Sequence, residues 1–391
     1  MNISVYFEPL ELPDFTQNIA ESSNVLGNFI NYYTEEGSFP DIEQADIAII
    51  GVKEERNCIN NEGCSQGPDF IRNQLYQFFR GDYNPAIVDL GNLKKGNSVN
   101  DTYFALASVV TELLNKNTIP VILGGSQDLT YANYKAYEAL GQVVNIVGVD
   151  SVFDLGKSDD NLNSKNYLNK IILHQPNFLF NYTNIGYQSY FVDPESIKLM
   201  NNLYFDVYRL GKIRSNLEFT EPLVRNTDIL SVDVSSIRQS DAPGNHNASP
   251  NGFYGEEICQ IMWYAGLSDK LTSLGLYEYN PQYDKHGQTA KLMAQMVWYF
   301  IEGFYNRKND HPYNDKKDYI KYTVSIKDHK DHLVFYKSKK SDRWWMDVPV
   351  KKNLKSIYER HHLIPCSYYD YEIACKDDIP DRWWQAYQKL M

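Results

Sequence analysis

No run of about 18 apolar residues, the length that begins to span a bilayer, occurs in the 391-residue chain, so membrane insertion is not expected. The first residues, Met1 to Asp14, are acidic and lack the basic-then-apolar order of a secretory signal. Cysteine is sparse: Cys58, Cys64, Cys259, Cys366 and Cys375 are odd in number, scattered and without a CxxC pair. They read as reduced thiols rather than a disulfide framework, which makes the cytoplasm the expected location. Positive charge is also short, with 38 basic against 50 acidic residues and a net charge of −12. From Arg307 onward there are 18 basic and 13 acidic residues, against 20 and 37 before it. An acidic body repels a phosphate backbone, and the basic excess after it is too diffuse for a patch, so no nucleic-acid partner is expected. Histidine is scarce where it would matter most. Only His174, His246 and His286 precede Arg307, and His311, His329, His332, His361 and His362 follow it.

What is present is an alternation of strand-like apolar runs and helical stretches. Ala45–Gly51, Ala86–Gly91, Thr118–Gly124, Val143–Val149, Leu203–Leu210, Ile229–Val234 and Leu274–Tyr279 read as strands. Pro68–Phe79, Asn100–Asn115, Tyr131–Leu140, Gly255–Ala265 and Thr289–Phe304 carry apolar residues at helical spacing. Continuous runs such as VVNIVGV suit parallel strands buried on both faces. The alternation predicts a mostly parallel sheet covered by helices on both sides, with a ligand crevice beyond the carboxyl ends of its strands.

The texture changes after Tyr305. Arg307–Lys317 is polar and reads as a linker, so the expected units are 1–306 and 307–391. The second contains alternating stretches at Ile320–Ile326 and His332–Tyr336, then a terminal helix. Asp-Arg-Trp-Trp occurs twice in it, at Asp342–Trp345 and Asp381–Trp384. The paired tryptophans are either core or anchor for this small unit, or a surface for a protein partner.

Five landmarks, in order over roughly residues 45–305, resemble the arginase–formiminoglutamase (ureohydrolase) family. They are Gly51-Val52 leading to Gly67-Pro68 and Ile71-Arg72; Gly124-Gly125-Ser126-Gln127; Asp150-Ser151-Val152-Phe153-Asp154; Ser231-Val232-Asp233-Val234-Ser235, followed by Ala242-Pro243-Gly244; and Glu278-Tyr279-Asn280-Pro281 with Asp284 and Thr289-Ala290. The resemblance implies a three-layer α/β fold, and here a small C-terminal α+β extension similar to that of formiminoglutamase-related proteins of Bacteroidetes type. It also implies a homo-oligomer.

In that family two divalent ions, usually manganese, activate a water held by two histidines and four carboxylates. Mapped residue by residue, Asp150, Asp154 and Asp233 survive. Gln127 and Val152 stand in the histidine positions and Ser235 in that of the fourth carboxylate. A binuclear manganese centre is therefore not expected. Gln127, Asp150, Asp154 and Asp233 could form an all-oxygen site for one magnesium or calcium ion; the alternative is carboxylates bonded to loop amides with no metal. Glu278 matches the carboxylate that grips an amidinium group, or is a buried acid bonded to backbone. His174 falls where the family often has a proton-shuttling histidine, though its flanking residues match poorly and a core or surface histidine is favoured. Three functions follow as expectations: a pseudoenzyme acting as a binding, scaffolding or regulatory protein; a divergent formimidoylglutamase-type hydrolase of linear amidines; and a sensor of a guanidino or formimino molecule.

Overall fold

The computed structural model describes residues 2–11, 24–157, 160–312, 316–327, 332–352 and 357–391. His329 and residues 313–315 of the expected linker lie outside them.

Ten strands form one sheet. They are β1 (Phe7–Glu8), β2 (Ile30–Tyr32), β3 (Ile47–Val52), β4 (Ile87–Leu93), β5 (Ile119–Gly124), β6 (Val144–Val149), β7 (Leu179–Tyr187), β8 (Asp206–Arg209), β9 (Ile229–Asp233) and β10 (Ser273–Tyr277). Their order is β1-β4-β3-β5-β10-β9-β6-β7-β8, with β2 also on β4. All pairings are parallel except β1 with β4. This agrees with the expected three-layer α/β architecture. The period of two along each strand sends alternate side chains to opposite layers. In β3, Ile47 and Ile49 enter one apolar core with Leu274, Leu276 and Val232. Ala48, Ile50 and Val52 enter the other with Ile122 and Ile146.

The first core is covered by α1 (Gly67–Leu75); the second by α2 (Val99–Asn115) and α3 (Leu129–Ala139). Next along the chain come α4 (Tyr167–Leu173), α5 (Pro194–Asn202), α6 (Leu210–Ser215) and α7 (Thr220–Arg225), then α8 (Gly255–Gly266) and α9 (Gln288–Tyr305). Two expectations are corrected. The helix expected over Pro68–Phe79 stops at Leu75, and the strand expected over Leu203–Leu210 shrinks to Asp206–Arg209 because Leu210 opens α6.

Four further strands, β11 (Tyr319–Ser325), β12 (His332–Ser338), β13 (Trp344–Asp347) and β14 (Leu363–Cys366), form a separate antiparallel sheet in sequential order. Helices α10 (Tyr368–Cys375) and α11 (Asp381–Leu390) complete this α+β unit. Trp344, Trp345 and Trp383 are buried, whereas Trp384 is 45% exposed. Trp345 lies under the Arg225 guanidinium at 4.4 Å, and Arg225 donates to the carbonyls of Trp344 (3.1 Å) and Cys366 (3.2 Å). Arg360 bonds Asp228 at 2.8 Å, and the His361 ring meets the Val143 carbonyl at 3.1 Å. Asp228 and Val143 immediately precede β9 and β6. The described residues of the tail thus dock at the amino ends of the central strands, about 15–20 Å from their carboxyl ends at the usual rise per residue, and these contacts lie away from the crevice. Residues 307–312 are no free linker, for Arg307 donates to the Gly266 carbonyl and the Asp310 amide to Asp269.

Candidate functional site

Strands β5, β10, β9 and β6 end side by side, with Tyr277 in register with Asp233 and Val232 with Val149. The chain leaving each one carries a residue singled out from the sequence: Gln127 after β5, Glu278 after β10, Asp233 closing β9 and Asp150 after β6. Gly125 allows the first of these turns, since a Cβ there would collide with the Glu54 carbonyl. Its own carbonyl accepts the Glu278 amide at 2.8 Å, tying two strand ends together.

Asp150, Asp154 and Asp233 are buried, and one carboxylate oxygen from each lies within 4.8 Å of the others. Each has one oxygen engaged and one bare. Asp150 Oδ1 accepts the Val152 amide at 3.0 Å, and Asp233 Oδ1 accepts the Ser235 amide at 2.7 Å. Asp154 Oδ1 faces Lys165 Nζ at 3.4 Å. The Oδ2 atoms of all three receive no hydrogen bond from any described residue, and neither does Oε1 of Gln127. The Gln127 amide nitrogen is committed to Ser231 Oγ (2.9 Å) and to the Tyr167 hydroxyl (3.2 Å).

The electrostatics follow from that crowding. Burial, then the neighbouring charges of Asp154 and Asp233, push Asp150 well above the usual carboxylate range. Burial raises Asp233 as well, with Lys165 acting against it and Asp154 with it. Burial alone would lower the Lys165 ammonium, but Asp154, Asp233, Asp150 and Glu278 outweigh it and hold the group above an ordinary lysine. Lys165 went unnoticed in the sequence because it lies on a loop 15 residues beyond Asp150, with no motif around it.

Glu278 is treated differently. Its Oε1 accepts the Gln127 backbone N–H at 2.8 Å; its Oε2 accepts Asn61 Nδ2 at 2.8 Å and faces the Cys58 thiol at 3.6 Å. Burial and the Asp233 charge push its pKa up to about 7. Glu278 and Asp154 both sit at positive φ, +67° and +47°. Such a backbone costs about 1–3 kcal/mol per residue and persists only where the surroundings hold it. Asn61 and Asn245 both donate to the Glu278 carbonyl, at 2.9 and 2.7 Å, and brace that turn. Asn61 lies on the loop between the Gly51-Val52 and Gly67-Pro68 landmarks, where no motif marks it.

Of the remaining residues, the Val152 side chain carries no donor, His174 lies elsewhere, and Cys58 and Cys64 flank Glu278. The side chain of Val152 packs among apolar neighbours, so only its amide serves the site. The His174 ring meets Tyr131 and Lys135 and pairs with Glu138, all on α3, in place of any crevice group. Cys58 and Cys64 are buried, and the Cys64 thiol is pushed up by contact with Cys58 and by burial.

The mostly parallel sheet with acidic residues at its central strand ends agrees with the three-layer fold that the sequence landmarks imply. The chain belongs to the arginase family, whose model matches residues 45–302. It is 23% identical over 306 residues to a formimidoylglutamase of Photorhabdus laumondii, covering 74% of this chain and 95% of that protein. It is 22% identical over 271 residues to one from Staphylococcus haemolyticus, covering 66% and 86%. Among solved structures it is similar to Trypanosoma cruzi formiminoglutamase with manganese, at TM-score 0.63 and 21% identity over 69% of this chain and 97% of that one. It is also similar to Bacillus subtilis formimidoylglutamase, at TM-score 0.64 and 18% identity over 73% and 94%. The match to the family ends before β11.

A pair of manganese ions does not fit these donors. The Val152 side chain has no lone pair to offer, no imidazole stands at position 127, and the Lys165 ammonium lies against Asp154. One oxygen from each of Asp150, Asp154 and Asp233 lies within 4.8 Å of the others, so the cluster offers oxygen donors alone, without nitrogen or sulfur.

Proposed function

We propose that this chain is an arginase-fold protein without two-metal hydrolysis, acting as a binding, scaffolding or regulatory protein. One observation carries the reading: a lysine ammonium, 3.4 Å from Asp154 Oδ1, stands in the carboxylate cluster where the family's chemistry calls for divalent cations. Water activation and stabilisation of the developing charge both depend on those cations. Glu278, held by three donors, keeps the geometry of an anion that could receive an amidinium or guanidinium group.

A second reading is hydrolysis of a linear amidine at its C–N bond, as in a divergent formimidoylglutamase. The relatives favour it over the first: those compared above bear that name, and the family model spans most of the chain. Three clustered carboxylates with bare oxygens also support it, as donors for one cation. The donor set weighs toward the first reading and the relatives toward the second. The deciding assay incubates purified protein with manganese and formiminoglutamate, agmatine, arginine or guanidinobutyrate, following ammonia, urea and formamide. No turnover is expected. Turnover at enzyme-like rates that disappears in Asp233→Ala establishes the hydrolase.

A further inference from the structure

Lys165 is delivered to the crevice by a loop pinned on both sides of it. The Ser164 amide donates to the Asn57 carbonyl at 3.0 Å, and Ser164 Oγ accepts the Ile59 amide at 3.0 Å. Asn166 Oδ1 accepts the Asn163 amide at 2.8 Å, and Tyr167 is buried against Gln127. Ser164, Asn166 and Tyr167 are thus fixed in the protein, while the Lys165 side chain remains 33% exposed at the edge of the cluster. A divalent ion bound by the three aspartates would sit about 2.0–2.6 Å from their oxygens. With the ammonium 3.4 Å from Asp154 Oδ1, the ion would lie within about 8 Å of it even when bound to the other oxygen. Two cations so close in a largely buried site repel by several kcal/mol at an effective dielectric near 20.

We propose that Lys165 is the resident cation of this site, a tethered ammonium that balances Asp150, Asp154 and Asp233 and excludes a divalent ion. The proposal rests on the reading that two-metal hydrolysis is gone, and it adds what took the metal's place. A tethered charge needs no ligand concentration and loses no translational freedom on binding.

The test is titration calorimetry of manganese and magnesium into chelator-treated, full-length protein. Wild type is expected to bind neither ion. Lys165→Met is expected to bind one manganese per chain, more than about tenfold tighter than wild type, with the gain lost in Lys165→Met/Asp233→Asn. Lys165→Arg, which keeps the charge, should behave as wild type. One manganese per chain in wild type, unimproved by Lys165→Met, overturns the proposal. Should Lys165→Met fail to fold, wild type alone decides: one ion per chain at micromolar manganese refutes it, and none at millimolar supports it. Amidine turnover by wild type with no metal bound would sink the proposed function and leave this proposal standing.

Discussion

Two corners of one crevice handle negative charge in opposite ways. At Glu278 both carboxylate oxygens meet donors: a backbone amide, a side-chain amide and a thiol. At Asp150, Asp154 and Asp233 one oxygen of each is engaged and the other meets no donor among the described residues. The first corner is a carboxyl group with a donor on each oxygen, although burial and the Asp233 charge push its pKa up to about 7. The second is a cluster of like charges that must be balanced from outside the carboxylates, and Lys165 is the balancing group at hand. One corner is held by neutral donors on both oxygens, and the other faces a lysine ammonium 3.4 Å from Asp154 Oδ1.

The comparison breaks most readily at Lys165. Lys165→Ala in metal-free protein should destabilise the fold by about 2–3 kcal/mol in urea denaturation, less than for a fully enclosed pair because a third of the side chain is exposed. An unchanged midpoint would mean that the aspartates need no counter-charge. Asn61→Ala attacks the other corner: it removes hydrogen bonds to both Oε2 and the carbonyl of Glu278. It should cost about 2 kcal/mol and loosen the strained turn, read as faster hydrogen exchange at the Glu278 amide.

Solution pH sharpens the contrast. Asp150, Asp233 and Glu278 have folded pKa values raised above their unfolded ones, Glu278 from 4.5 to about 7. The folded state therefore binds more protons between those values, and stability should fall as pH rises from about 4.5 through 7. Asp150→Asn should flatten that slope and raise the melting temperature at pH 8. A steeper slope in the variant would contradict the crowding of charge at this corner. The smallest effect belongs to Cys58→Ser. The hydroxyl can replace the thiol as donor to Glu278, so a change under about 1 kcal/mol is expected.

Much of the architecture was legible because parallel strands buried on both faces appear as unbroken apolar runs. Residues 143–149 were read as such a run, and β6 occupies Val144–Val149. Strand β7 was missed because Asn181, Thr183 and Asn184 interrupt its apolar pattern. Their side chains are satisfied by partners distant in sequence, Asn181 by Asp206 and Asn184 by the Val152 carbonyl. Helices α4 to α7 went unread because six to nine residues give too few turns for a period to stand out. At the site, every residue named from the motifs lies at or just beyond a carboxyl end of a central strand. The residues found only in three dimensions, Lys165, Asn61 and Tyr167, come from loops or a loop-to-helix junction with no spacing to betray them.

The repeated tetrapeptide marks the boundary between what sequence and tertiary structure each decide. Asp342–Trp345 turns at Asp342 (φ +60°) and places Trp344 and Trp345 in β13, whereas the same four residues at Asp381–Trp384 open helix α11. The four residues are the same, so the difference comes from their surroundings. Pro380 before and Gln385-Ala386 after favour a helix in the second copy, whereas Val348 and Pro349 follow the first. Each also packs on its own partner, Arg225 of the body over Trp345 and the Asp347 carbonyl that accepts the Trp383 indole N–H at 3.1 Å. By itself the sequence determined the layered sheet, the strand-end acids and the absence of the imidazoles, because burial period and residue chemistry are local properties. Tertiary structure alone decided that Lys165 answers the charge of Asp154, since the pairing depends on a loop folding back across the strand ends.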